Sequence, residues 1–432
     1  MRTSPLDAWL AERIGADPEP AALACWQERA LRRTLAWARE RSPFYARRLA
    51  GFDPAAVGLA DLDRLPRTSA ADLRGNDGEF LCVSRDEIAR VVTLHSSGTT
   101  GPAKRTHFTA QDLAATREFF FVGMSTFAGP GSRVFILLPG ERPDSVGDLL
   151  ARCLEGLGAT AVPYGPVTDP AAAAAALAGS GADCVVGLPV QVLSLVRGPH
   201  ASRVLPGQVK SALLVSDHVP RAVVRAVEDA WGCAAFSHWG MTETGLGGGV
   251  ECQARDGYHL READLLVEVT DPGTGRALPP GETGEVVFTT LSRRGMPLIR
   301  YRTGDLAAWR TGPCPCGSVL RRLGPVRGRA GGAADLGNGL RLDICDLDEA
   351  LFPLPGVLDF SARLGGSVRA GLLCVWLHVT PGAEAETQAR AAAALEDLAA
   401  PLRAAGAVLD LAVGCGARPV AGKRTLDDQR AR

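Results

Sequence analysis

Ser96, Ser97, Gly98, Thr99, Thr100 and Gly101 follow one another without interruption, and Lys104 comes three residues later. Small residues let a backbone curl tightly enough to aim several N–H groups at one anion. The four hydroxyls of this run add donors for phosphate oxygens, and the lysine adds a compact positive charge. The chemistry that fits is the holding of a polyphosphate. The spacing is not that of a Walker A loop, which ends in Gly-Lys-Ser/Thr: here Pro102 follows Gly101 and Arg105 follows Lys104. A kinase or GTPase of the P-loop type is therefore disfavoured.

Two further clusters could do chemistry. Ser237–Gly245 reads SHWGMTETG, which sets the Thr242 hydroxyl beside the Glu243 carboxylate on a glycine-bounded loop. Mg²⁺ prefers one or two carboxylates together with phosphate oxygens, so Glu243 is a candidate magnesium ligand. Cys252 and His259 lie in ECQARDGYH, and Cys314 and Cys316 lie in GPCPCG. A Cys-Pro-Cys-Gly turn can present two thiolates to one metal, and three sulfurs with one imidazole make a closed tetrahedral zinc set. The two halves are distant in sequence but flank one segment, Leu265–Leu306, so they can meet in space. His95, His107 and His218 have no spacing that assigns them a role, and lone histidines are more often structural.

Periodicity says which elements must position these residues. Leu23–Leu49 carries apolar residues at helical spacing and is broken at Ser42-Pro43. Val134–Leu138, Ala159–Val162, Cys184–Val186 and Ala212–Val215 read as strands. Helices at Asp148–Leu157, Pro170–Ala178 and Val219–Ala230 alternate with them. That alternation predicts an α/β fold with a mainly parallel sheet. Leu265–Val269 and Glu285–Thr290 alternate instead like antiparallel strands. Gly324–Gly339 is glycine-rich and reads as a hinge. Beyond it the pattern predicts a small α+β domain, with helices at Leu347–Leu351 and Ala383–Ala404. Its strands fall near Leu358–Leu364, Leu372–Val379 and Val408–Val413, before a polar tail. The expected division is a large ATP- and acid-binding domain at 1–328 and a small mobile domain at 329–432.

Several of these texts, in this order, resemble the adenylate-forming superfamily of acyl-CoA synthetases, adenylation domains and luciferases. They are SSGTTG followed by a lysine, MTETG, GETGEVVFTT and PLIRYRTGDL. SPFYARRL at Ser42–Leu49 and RLPRTSAADLRGN at Arg64–Asn76 look like the phenylacetate–CoA ligase branch, and the resemblance runs from about residue 23 to about 430. It implies that Thr242 contacts the α-phosphate, that Glu243 binds Mg²⁺, and that Asp305 accepts hydrogen bonds from the ribose. Trp239 would flank the adenine, where tyrosine is commoner, and His238, Gly240 and Met241 beside it would bind the nucleotide. Ser216 and Asp217 stand where the family has an adenine loop, although VSDH replaces Gly-Ala-Glu-Pro. Arg329, in Gly328-Arg329, would contact ribose or phosphate. Lys423, in VAGKRT, would be the catalytic lysine. The family's hinge aspartates are replaced by Gly331 and Gly332. Some members of the branch also look similar at the Cys…His and CxCG positions.

The chain has 432 residues and eleven cysteines, and its formal net charge is −1. Such a balance offers no long-range field to nucleic acid or to an anionic membrane. The N-terminal stretch lacks the apolar core of a signal peptide, and no apolar run reaches the ~18–20 residues that span a bilayer. The expected location is the cytoplasm, with the cysteines free or metal-bound. The expected activity is ATP-dependent acid–CoA ligation through acyl-AMP, using ATP, Mg²⁺ and CoA, with a structural Zn²⁺. The alternatives are delivery of the acyl group to a carrier-protein thiol or an amine, and a nucleotide-binding regulator on the same fold. An aryl or arylacetic acid is the family-level expectation for the substrate. Its pocket walls would come from 139–147, 164–167 and 245–249. A homodimer is left open.

Overall fold

The computed structural model describes residues 4–94, 103–367, 370–415 and 424–430. Those residues form two compact units that do not follow chain order. The first comprises Met1–Thr126, Arg152–Leu157 and His238–Val326; the second comprises Phe127–Ala151, Gly158–Ser237 and Arg327–Arg432. No described helix is long and apolar enough to cross a membrane.

The second unit holds the parallel sheet. Thr160–Pro163, Arg133–Ile136, Cys184–Gly187, Ser211–Leu214 and the strand that begins at Ala234 lie side by side, each parallel to its neighbour. The central strands are buried along their whole length, because a parallel sheet covered by helices buries both faces. Asp169 caps the alanine helix Pro170–Ser180 by accepting hydrogen bonds from the N–H groups of Ala171 and Ala172. The same unit carries a four-stranded sheet in which Val357–Ser367 pairs with Ala370–Val379, and Leu409–Cys415 and Leu426–Asp428 add as parallel neighbours. The long helix Glu384–Ala404 buries Thr387, Ala391, Leu395 and Ala399, a four-residue repeat that makes one face.

Two elements of this region go beyond what the sequence pattern predicts. The glycine-rich link contains a hairpin, Ala334–Gly337 with Leu340–Leu342, closed by Gly337, Asn338 and Gly339, all at positive φ. Such a turn demands residues that tolerate the left-handed region, which is why the stretch is rich in glycine. The polar tail contributes a strand, Leu426–Asp428. Ala362, Arg363 and Leu364 provide its pairing edge.

The first unit is organised by antiparallel pairing. Ile88–Leu94 pairs with Lys104–Thr109, so Leu94 stands opposite Lys104. Leu265–Thr270, Gly284–Thr290 and Tyr301–Ala307 form a three-stranded sheet. Arg300, at 1% exposure, immediately precedes the last of these strands. Its guanidinium donates to both Glu268 carboxylate oxygens (3.1 and 2.9 Å) and to the Leu65 carbonyl (3.0 Å). A buried charge is tolerated only when paired and hydrogen-bonded in this way. The pairing fixes where the following strand begins.

Candidate functional site

Within the first unit, strands Lys104–Thr109 and Tyr301–Ala307, the end of strand Ala234–Trp239 and the loop after it supply Lys104, Asp305, Trp239 and Glu243, four of the expected residues. Glu243 is 1% exposed and sits in a single short turn, Thr242–Thr244. The Tyr301 hydroxyl donates to Glu243 Oε1 (3.0 Å), and the Lys104 ammonium makes an ion pair with the same oxygen. Trp239 Nε1 donates to Asp305 Oδ2 (3.1 Å), and the Asp305 N–H is held by Thr303 Oγ1 (2.9 Å). Tyr301, Thr303 and Asp305 occupy alternate positions of one strand and therefore share a face. That spacing could have flagged Tyr301, which sequence reasoning assigned no role.

The loop geometry explains its glycines. A Cβ on Gly240 would stand 2.6 Å from the Leu246 carbonyl oxygen and 2.7 Å from the His238 ring, so only glycine fits. Gly245 has φ +82° and ends the turn, its N–H donating to the Thr242 carbonyl (3.0 Å). Thr116 Oγ1 donates to the Gly245 carbonyl (3.0 Å) and pins the far side of the loop. Burial pushes the His238 imidazole down to about 4, which keeps it neutral.

Ser96–Gly101 and Lys423 lie outside the described residues. Ser216, Asp217 and Arg329 belong to the second unit. Ser216 has φ +72°, a conformation a non-glycine side chain rarely adopts. The Asp217 side chain is 7% exposed, and Oδ2 accepts the Arg424 N–H (3.4 Å). Arg329 is exposed, and its N–H donates to Asp343 Oδ2 (3.4 Å).

The sulfur set does converge. The donor atoms of Cys252, His259, Cys314 and Cys316 all lie within 4.8 Å of one another. Cys252 Sγ and Cys314 Sγ are 3.6 Å apart, and Cys316 Sγ lies 3.4 Å from His259 Nε2. Two sulfurs each ~2.3 Å from a tetrahedral zinc would be about 3.8 Å apart, and a sulfur–nitrogen pair about 3.6 Å. The pairing of His259 with Arg322 brings the two halves together, and Gly317 at φ +85° permits the tight Cys-Pro-Cys turn. The Ser318 N–H donates to Cys316 Sγ (3.4 Å), a contact that favours thiolate. Burial, helped by the Arg322 charge, pushes His259 down to about 4, which leaves its nitrogen free of a proton. Burial pushes the Cys252 thiol up to about 12, a cost that a bound cation would reverse.

A profile of the family described as "AMP-binding enzyme" matches residues 54–292. This chain belongs to that family of nucleotide-dependent, adenylate-forming proteins. Within it, the chain falls in the phenylacetate–CoA ligase-like branch. It is 35% identical over 320 residues to a phenylacetate–coenzyme A ligase of Thermus thermophilus, covering 71% of this chain and 70% of the relative. It is 30% identical over 346 residues to the phenylacetate–coenzyme A ligase of Pseudomonas putida, covering 74% of each. In fold it is similar to a 2-hydroxyisobutyryl-CoA ligase solved in its postadenylation state. That match has a TM-score of 0.79 at 21% identity and covers 96% of this chain and 91% of the other.

Proposed function

We propose that this protein is an ATP-dependent, AMP-forming acid–CoA ligase. The observation that carries the reading is the buried Glu243 carboxylate held by Lys104 and Tyr301, on the loop that the matching family uses for nucleotide. In the first half-reaction an acid carboxylate oxygen attacks the α-phosphorus of ATP, forming acyl-AMP and expelling pyrophosphate. Glu243 would hold Mg²⁺, which when bound neutralises phosphate charge. The fit rests on a carboxylate already buried against a cation. Lys104 and the Ser96–Gly101 run would hold the phosphates, with Thr242 on the α-phosphate. Asp305, an acceptor-only group, suits the ribose hydroxyls. His238, Trp239, Gly240, Met241, Ser216 and Asp217 would line the adenine, and Arg329 would reach ribose or phosphate.

In the second half-reaction the CoA thiol displaces AMP. We assign residues 329–432 as the part that turns between the two steps, with Gly328–Gly332 as the pivot. Gly328 and Gly331 already have φ of +119° and +81°. Lys423 would act in the first step only, stabilising charge as carboxylate meets α-phosphate. Cys252, His259, Cys314 and Cys316 would hold one structural Zn²⁺. The acid is aryl or arylacetic by analogy with the relatives, and the reaction belongs in the cytoplasm, where ATP and CoA are at hand.

The test is acid-dependent exchange of labelled pyrophosphate into ATP across a panel of aromatic and aliphatic acids, followed by CoA-dependent release of AMP. Exchange and CoA-dependent turnover are expected. Lys423→Ala should abolish exchange while sparing thioester formation from supplied acyl-AMP. Exchange without CoA turnover would point to a carrier-protein or amine acceptor. No exchange with any acid would leave a nucleotide-binding regulator.

A further inference from the structure

The second unit contains a buried cluster that the proposed chemistry leaves unused, with Arg424 at its centre. Arg424 is 7% exposed, close to the end of the chain, where an arginine would ordinarily be solvated. Its guanidinium makes a two-pronged pair with Asp348: Nε donates to Oδ1 (3.1 Å) and Nη2 to Oδ2 (2.9 Å). Nη2 also lies 3.8 Å from Asp217 Oδ2, and Nη1 lies 4.0 Å from Asp359 Oδ1. The planar cation stacks near two rings, 4.8 Å from the Phe352 centroid and 5.7 Å from that of Phe360. Each carboxylate comes from a different element. Asp348 is on the buried face of helix Ile344–Leu351, Asp359 is on strand Val357–Ser367, and Asp217 is on the loop after strand Ser211–Leu214.

That loop is held from a second direction. His218 Nε2 lies 3.6 Å from Glu349 Oε1, and the Arg221 N–H donates to the same oxygen (3.4 Å). Asp348 and Glu349 are adjacent on one helix, so a single helix end fixes both flanks of Ser216–His218. Ser216 needs such support, because a strained left-handed residue persists only where its surroundings over-determine it.

We propose that Arg424 is a positioning residue for the nucleotide: it clamps the Ser216–Asp217 loop to helix Ile344–Leu351 and so sets the adenine-facing side of the site. This rests on the ligase reading above, in which that loop meets adenine. Arg424 touches no reacting atom in this scheme and acts through Asp217. In this arrangement the clamp also ties the C-terminal segment 424–430 to the nucleotide loop; it serves the first half-reaction and is released when residues 329–432 turn.

The experiment compares wild type, Arg424→Lys and Asp348→Asn in pyrophosphate exchange, with KM measured separately for ATP and for the acid. Lysine keeps the charge but loses the two-pronged geometry. Arg424→Lys should raise the KM for ATP about tenfold or more, with the KM for acid unchanged within about twofold. Asp348→Asn, which keeps the shape, should shift ATP in the same direction by less. A fall in active protein or in kcat with both KM values unchanged would show a purely structural role and overturn the proposal. Should Arg424→Lys fail to fold, Asp348→Asn decides by the same criterion. Absence of exchange in wild type would instead defeat the ligase reading, and direct ATP binding by calorimetry would then test the clamp: an unchanged dissociation constant in the variants would sink it.

Discussion

The cysteine–histidine cluster of the first unit and the arginine–carboxylate cluster of the second both bury polar groups, but they differ in what completes them. In the first, the donor atoms of three cysteines and a histidine gather within 4.8 Å of one another, and burial, helped by the Arg322 charge, holds the His259 ring neutral. Its donors repel one another as thiolates and need an ion between them. In the second, the cation is part of the chain: Arg424 sits among Asp348, Asp217 and Asp359. On the zinc reading proposed above, the comparison separates a site that would be stable only when loaded from one whose cation is part of the chain. It also separates a cluster closed by two short sequence texts from one assembled out of four separate segments.

The largest expected effect breaks the first cluster. Protein purified without chelator should carry one zinc per chain by elemental analysis. Cys316→Ser should abolish stoichiometric zinc and lower the unfolding free energy by several kcal/mol, given that structural zinc contributes on the order of 10 kcal/mol in small domains. A metal-free protein as stable as the loaded one would remove the distinction between the clusters. The second cluster should answer differently. Arg424→Met leaves buried carboxylates without a partner and should cost about 3–5 kcal/mol, while Arg424→Met combined with Asp348→Leu should recover part of that loss. Denaturant melts of the three proteins read this directly. A double variant worse than the single would mean that the ion pair is itself a net source of stability.

The difference also explains what could be read from the sequence. The α/β alternation was legible because parallel strands such as Cys184–Gly187 are short apolar runs flanked by helical repeats. The sulfur ligands were legible because thiols are rare and a Cys-Pro-Cys-Gly turn has few structural uses. Glu243 and Asp305 stood out in texts whose glycines the backbone demands, as at Gly240. Arg424 was not legible. It lies in a run of polar residues, and its burial depends on Phe352, Phe360 and three acids that no local pattern links. The hairpin at Ala334–Leu342 was missed for a related reason: the glycine-rich stretch was read only as a link and hinge, whereas Gly337 and Gly339 also serve a tight turn. Tertiary burial of charge leaves no periodic trace, while turn chemistry and metal donors do.

The smallest effect uses two histidines to sharpen the comparison. His238 and His259 are both pushed down to about 4, chiefly by burial. His259 stands in the donor cluster, so its behaviour in acid is tied to whatever ion is bound there. His238 has no metal-type neighbours of that kind, and its Nδ1 is buried without a hydrogen-bond partner among the described residues. An unfolded histidine titrates near 6.5, so below that value the unfolded chain takes up a proton that the folded His238 refuses. Its contribution to stability is therefore fully present above about pH 6.5 and is lost as the pH falls toward 4. The shift corresponds to about 1–3 kcal/mol after allowance for partial exposure of the residue. His238→Gln, which cannot gain the proton, should flatten the stability–pH curve between pH 6.5 and 4 by that amount without releasing zinc. Denaturant melts across this range, with zinc followed in parallel, check both halves. An unchanged curve would mean that the imidazole is protonated in the fold with a partner, and that its burial does not govern its charge.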